Sequence, residues 1–206
     1  MPYKEQHVVE FWNWFASNAS RIHDAYRRDE DGWLDTNISP RIDRIADHLN
    51  WELGPYNDPD DTFVLSPTIR DNLPVTRAAI AIAPQIAGWH FLPAKPAKEL
   101  LSLTFCAHEC KINADDWRYR LTAYNNGEFV EIEIFVNASS GFPSGLDDLF
   151  CELVIESLLG EEYRLDRVGY LILNIVNDNT TIEKSTSIKH LKDHLAQVLR
   201  PAQNEA

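Results

Sequence analysis

Cys106, His108 and Cys110 carry the side chains best suited to a soft metal ion, because Cys-Ala-His-Glu-Cys sets two sulfur donors and an imidazole at alternate positions. On a strand all three project from one face. Neighbours on such a face stand about 6.6 Å apart, which spreads the outer cysteines too widely for one tetrahedral zinc unless the strand bulges. Their Cα atoms, about 13 Å apart along a strand, are also too distant for a disulfide. With no fourth ligand assigned, the expectation is no metal and no cofactor. The cysteines then read as small apolar packing and His108 as a hydrogen-bonded histidine.

The other titratable clusters read in the same way. Asn57-Asp58-Pro59-Asp60-Asp61 offers carboxylates to calcium or magnesium but lacks the glycine and distal glutamate of a calcium loop, so a solvated turn is expected. His7 and His23 fall on a first helix and His48 on a second; only His190 and His194, spaced i and i+4 on the last, could share a ligand, and without the glutamate of a zinc protease they read as a solvated helix face. Gly-x-Ser-x-Gly, Gly-Lys-Ser/Thr and Gly-x-Gly-x-x-Gly do not occur. The acceptor spelling Asn137-Ala138-Ser139 has no meaning in a cytosolic chain. The residues left as candidates for a pocket or an interface are Trp14, His90, His108, Glu131 and Glu133. Trp14 stands out because it lies beside its helix's apolar stripe in a chain with six tryptophans.

The elements that must carry these residues follow from periodicity. Val8, Phe11, Phe15, Ala19, Ile22 and Tyr26 recur every three or four residues, which predicts a helix over 5–26 that ends in the polar run 27–32. Ser39-Pro40 predicts the start of a second helix with Ile42, Ile45 and Leu49 inward. Residues 51–55 and 62–66 predict a hairpin, 74–86 a third helix with Pro84 in its last turn, and 89–92 a strand closed by Pro93 to Pro96. Asn126-Gly127 predicts a two-residue hairpin turn. Its partners sum to 253, so Arg120 faces Glu133 and Thr122 faces Glu131, while Trp117, Tyr119, Leu121 and Ala123 share the apolar face with Val136, Ile134, Ile132 and Val130.

Further on, 146–159 predicts a helix with Leu146, Leu149, Phe150, Leu153 and Val154 inward, closed by Gly160 in a left-handed cap. The apolar run from Val168 to Val176 predicts a strand covered on both faces and central in the sheet, and 187–199 a last helix. The expected fold is α+β: a single domain over 1–206, with a mainly antiparallel sheet packed by N-terminal, middle and C-terminal helices.

Three segments, Phe11-Trp-Asn-Trp-Phe15, Trp51-Glu-Leu-Gly-Pro55 and Ala83-Pro-Gln-Ile-Ala-Gly-Trp-His-Phe-Leu-Pro-Ala-Lys-Pro96, resemble a group of uncharacterised bacterial proteins, with Leu158-Leu-Gly-Glu161 as a weaker echo. The resemblance implies a bacterial, cytosolic, single-domain protein. It carries no activity and no catalytic residue.

Nineteen Lys and Arg stand against 32 Asp and Glu, a net charge of −13, which argues against nucleic acid as a ligand. No stretch approaches the roughly 18 apolar residues of a membrane span, and three cysteines suit a reducing cytoplasm. The expected function is a non-catalytic interaction module whose acidic surface engages a basic protein, for example an immunity-type inhibitor of a basic toxin. The alternative is an enzyme or small-molecule binder with an unconventional pocket between sheet and helices. Oligomeric state is left open.

Overall fold

A computed structural model of the chain describes residues 4–55, 60–98, 102–105, 110–138, 147–177 and 182–199. The fold is α+β, with strands in mixed sheets. The sequence reading treated 1–206 as one domain. The chain divides into two compact units, Met1–Pro96 and Ala97–Ala206, and each has its own apolar core.

In the first unit α1 (Glu5–Arg27) buries Val8, Phe11, Trp12, Phe15, Ala19, Ile22 and Ala25, the expected stripe except at its end, where Ala25 is buried and Tyr26, expected inward, is half-buried. It stops where the apolar face runs out, and Asp29 turns the chain at φ +54°. The second helix departs from expectation. α2 runs Asp31–Ile42 and holds Pro40 in its last turn rather than starting there. Leu34, Ile38 and Ile42, an i, i+4 row, are buried. Continuing that row outweighs the one backbone bond that Pro40 cannot donate.

β1 (Asn50–Gly54) and β2 (Asp61–Ser66) form the expected antiparallel pair, with Leu53 opposite Phe63. α3 (Leu73–Ala81) is shorter than expected and ends before Pro84, because the residue preceding a proline avoids helical dihedrals. β3 (Trp89–Leu92) lies parallel to β2, giving the order β1-β2-β3. Central β2 is buried along its whole length. Phe63 meets Phe11 and Phe15 at ring separations of 5.6 and 5.3 Å, and Trp89 meets Phe15 at 5.0 Å. At about 2–3 kcal/mol for each fully buried aromatic, this cluster is the main source of the unit's stability.

The second unit opens with β4 (Ser102–Phe105) antiparallel to β5 (Cys110–Asn113), and Phe105 is paired with Cys110. The strand expected through Cys106, His108 and Cys110 falls on residues of which only Cys110, the first of β5, is described. Cys106 and His108 lie outside the described residues.

β6 (Arg118–Tyr124) and β7 (Phe129–Asn137) pair in the expected register, with Arg120 opposite Glu133 and Tyr124 opposite Phe129. The turn is longer than expected. Asn125, Asn126 and Gly127 all have positive φ, and the amides of Gly127 and Glu128 both donate to the Tyr124 carbonyl. A four-residue reversal keeps the sum of partner numbers that a two-residue turn would give, so the register survives.

α4 (Asp147–Leu159) buries Phe150, Cys151, Val154 and Ile155, whereas Leu149, expected inward, is exposed. Gly160 separates it from an unforeseen α5 (Glu161–Arg167), with φ +82° and ψ 149°, a region open essentially to glycine alone and not the left-handed helical one. β8 (Val168–Val176) runs parallel to β7, β9 (Thr186–Ser187) pairs with β6, and the order is β8-β7-β6-β9. β8 was expected at the centre and lies at an edge. A 3-10 turn (Ile188–His190) and α6 (Leu191–Val198) follow, the turn and strand taking the start of the helix expected from Ser187. No described helix is long and apolar enough to cross a membrane.

Candidate functional site

The sequence-derived candidates fall in different units. Trp14 and His90 belong to the first, Glu131 and Glu133 to the second, and His108 lies outside the described residues. Trp14 is half-buried, and the Arg41 guanidinium sits over its ring at 4.2 Å, so it packs within its own unit. His90 is exposed, with Nε2 3.4 Å from the Asp60 carboxylate.

One constellation in the first unit was not foreseen. Asp61 opens β2 and is 2% exposed, where a solvated turn was expected. Its Oδ2 accepts a short hydrogen bond from His23 Nδ1, and its Oδ1 accepts one from Arg27 Nη2 at 2.8 Å. His23 and Arg27 are four residues apart, hence stacked on one face of α1. The alternation Asp61, Phe63, Leu65 points the carboxylate at that same helix. Two consecutive aspartates at the start of β2 thus each hold a histidine, His90 by Asp60 and His23 by Asp61.

A carboxylate on Nδ1 fixes the imidazole's tautomer and leaves Nε2 of His23 as the basic atom. That side chain is 47% exposed. Among the described residues no hydroxyl or thiol is hydrogen-bonded to His23, and no group of three metal-ligating side chains occurs. The spacing of His23 and Arg27 was legible in the sequence. The partner 38 residues away was not.

A second polar contact was also missed, since the face carrying His190 and His194 was expected to be solvated. His194 is half-buried, and its Nδ1 lies 3.0 Å from the hydroxyl of fully buried Tyr119. Burial, with Asp193 adding to it, pushes the Tyr119 hydroxyl up to about 12.

In the second unit the β6–β7–β8 surface divides by alternation. Val130, Ile132, Ile134 and Val136 face the core with Trp117 and Tyr119. Glu131 and Glu133 face outward and are half-buried, Glu133 beside Arg120 in register and Glu131 within 3.4 Å of the Tyr124 hydroxyl. Register places Tyr170 beside Glu131 and Ile172 beside Glu133. Tyr170 is 70% exposed, and the Tyr124 hydroxyl is held above its ordinary value by desolvation and by Glu131. Arg120 covers the ring of Phe135 at 4.8 Å, which closes the apolar gap beyond Glu133. No family model matches the chain, and neither a curated protein nor a solved structure matches it.

Proposed function

We propose that this protein is a non-catalytic interaction module of the bacterial cytoplasm, and that the outer face of its second sheet docks a basic protein, as an immunity-type inhibitor docks a toxin. The observation that carries the reading is the juxtaposition of exposed Tyr124 and Tyr170 with Glu131 and Glu133 on one sheet face. Tyrosines supply rigid contact area at small entropic cost, and the carboxylates supply orientation. The second unit has ten Lys and Arg against eighteen Asp and Glu, net −8, and the first has nine against fourteen, net −5. The long-range field of the second unit therefore favours a cationic partner.

Affinity capture from a bacterial cytosol, followed by association kinetics at two ionic strengths, tests the proposal. The captured partner is expected to be basic, its on-rate to fall with salt, and Glu131→Lys/Glu133→Lys to slow association about tenfold or more. Tyr124→Ala is expected to raise the off-rate. An acidic partner, salt-indifferent binding, or binding untouched by these variants refutes the reading.

The His23–Asp61 pair favours a second reading, a small-molecule binder or enzyme seated in the first unit. Native mass spectrometry of the purified chain discriminates the two: a bound metabolite lost in His23→Ala supports this second reading and counts against the first.

A further inference from the structure

We infer that Asn126 is a modification site built into the chain: its side-chain amide is lost to water through ring closure by the Gly127 nitrogen, and the β6–β7 turn sets the rate. Asn126-Gly127 is the one Asn-Gly step in the sequence. The turn asks for both residues. Asn125, Asn126 and Gly127 have φ of +49°, +57° and +85°, values that asparagine and glycine tolerate better than other residues. Glycine is also the follower that leaves the attacking nitrogen least shielded, since it has no Cβ to stand beside it. The conformation that the hairpin needs thus brings together two residues whose chemistry is readily turned on the main chain.

The step balances with water alone. The Gly127 nitrogen bonds to Asn126 Cγ, the Cγ–Nδ2 bond breaks, and ammonia leaves with the hydrogen that the Gly127 amide gives up. Water then opens the cyclic imide at one of its two carbonyls. Opening at Cγ gives aspartate on an unchanged main chain. Opening at the main-chain carbon gives isoaspartate, in which the main chain runs through Cβ and Cγ and is one atom longer. Either product adds one negative charge to the second unit, whose net charge goes from −8 to −9.

The fold restrains this chemistry at the nitrogen. Asn126 is exposed, whereas Gly127 is buried and its amide donates to the Tyr124 carbonyl at 2.9 Å. The Glu128 amide donates to the same carbonyl at 3.1 Å. A nitrogen engaged there must be released before it can reach Cγ, so opening of the turn precedes ring closure and its free energy sets the rate. The two products then part. Aspartate tolerates positive φ much as asparagine does, so the aspartyl chain keeps the register. Isoaspartate puts an extra main-chain atom into a four-residue reversal closed by Tyr124 and Phe129, which loosens the end of the hairpin that carries Tyr124. No partner enters the step, and the inference stands independently of the basic-partner proposal.

Incubation of the full chain at mildly alkaline pH, folded and in denaturing urea, followed by tandem mass spectrometry of its peptides, tests the inference. In the folded chain Asn126 is expected to convert from amide to acid ahead of every other described asparagine. In urea the conversion is expected to run about tenfold faster or more, because the turn no longer holds the nitrogen. Asn126→Gln, whose longer side chain closes a ring far more slowly, is expected to stay unconverted at that position. Asn126→Asp separates the effect of charge from that of the main chain: it is expected to keep the parent's melting temperature, whereas the isoaspartyl form isolated by chromatography is expected to melt about 4 °C lower or more. Other asparagines converting first in the folded chain, equal rates folded and in urea, or an isoaspartyl form that melts with the parent overturns the inference.

Discussion

Asp61 is a buried carboxylate held by the half-exposed side chains of His23 and Arg27, and that asymmetry gives an ordering that counting hydrogen bonds does not. Asp61→Asn preserves shape and removes the charge. Each hydrogen bond to a charged group is worth about 1.5–3 kcal/mol in isolation. The side chains of His23 and Arg27 are 47% and 54% exposed and regain water, so the net cost falls to about 1–2 kcal/mol. Removing both partners instead, in His23→Ala/Arg27→Ala, leaves a carboxylate 2% exposed with neither. Stranding a buried charge costs about 3–5 kcal/mol. Adding Asp61→Asn to that double variant should then restore stability by about 1–3 kcal/mol, so the same substitution changes sign with its background. Urea unfolding followed by tryptophan emission reads the first unit, which holds Trp12, Trp14, Trp33, Trp51 and Trp89 of the six tryptophans. At about 1 kcal/mol/M the midpoint falls by about 1–2 M in Asp61→Asn and by about 3 M or more in the double variant. If Asp61→Asn destabilises the double variant further, the clamp is not an electrostatic unit and the reasoning is refuted.

Gly127 has φ +85° in the β6–β7 turn, so Gly127→Val is expected to cost about 1–2 kcal/mol or more while Gly127→Asn costs less, read as midpoints of thermal or urea unfolding. Trp12 Nε1 donates to the Ala79 carbonyl at 2.8 Å, near the C-terminal end of α3, and Trp12→Phe leaves that buried acceptor bare at about 1–3 kcal/mol, measurable by urea denaturation. Tyr119 holds its proton to about pH 12 when folded, whereas an exposed tyrosine loses it near 10. Its contribution to stability is complete below pH 10 and declines as the pH climbs from 10 toward 12. Melting temperature against pH, compared between the parent chain and Tyr119→Phe, is expected to show a shallower decline in the variant over that window.

Local rules carried the reading where local rules decide the structure. The β6–β7 register was legible because alternation, opposite charges and Asn126-Gly127 all agreed on one sum. The stripe of α1 was legible because about six turns of one face repeat it. α2 was misplaced where two local signals conflicted: Ser39-Pro40 spells a helix start, while Leu34, Ile38 and Ile42 spell a face that runs through it. Tertiary burial decided for the face. The candidate site shows the same limit. Glu131 and Glu133 were placed correctly on the outer face, since parity along a strand is a sequence property. The clamp at Asp61 depends on β2 arriving beside the end of α1, and nothing within ten residues of Asp61 announces His23. The boundary of the two units falls at the Pro93 to Pro96 segment, which also ends a strand, so one composition cue carried two meanings.

The misplacement of β8 is the most informative. A strand apolar on both faces demands cover on both faces, which is why nine such residues read as central. The inner face has that cover, since Leu171 and Leu173 pack on the core with α4 and α5. The outer face shows Tyr170 and Ile172 to solvent, and the edge has no strand beyond it among the described residues. Composition and position are therefore in conflict at one strand: an apolar run records which residues a strand carries, whereas its place in the sheet is decided by which strands pair with it, and β8 pairs with β7 alone among the described residues.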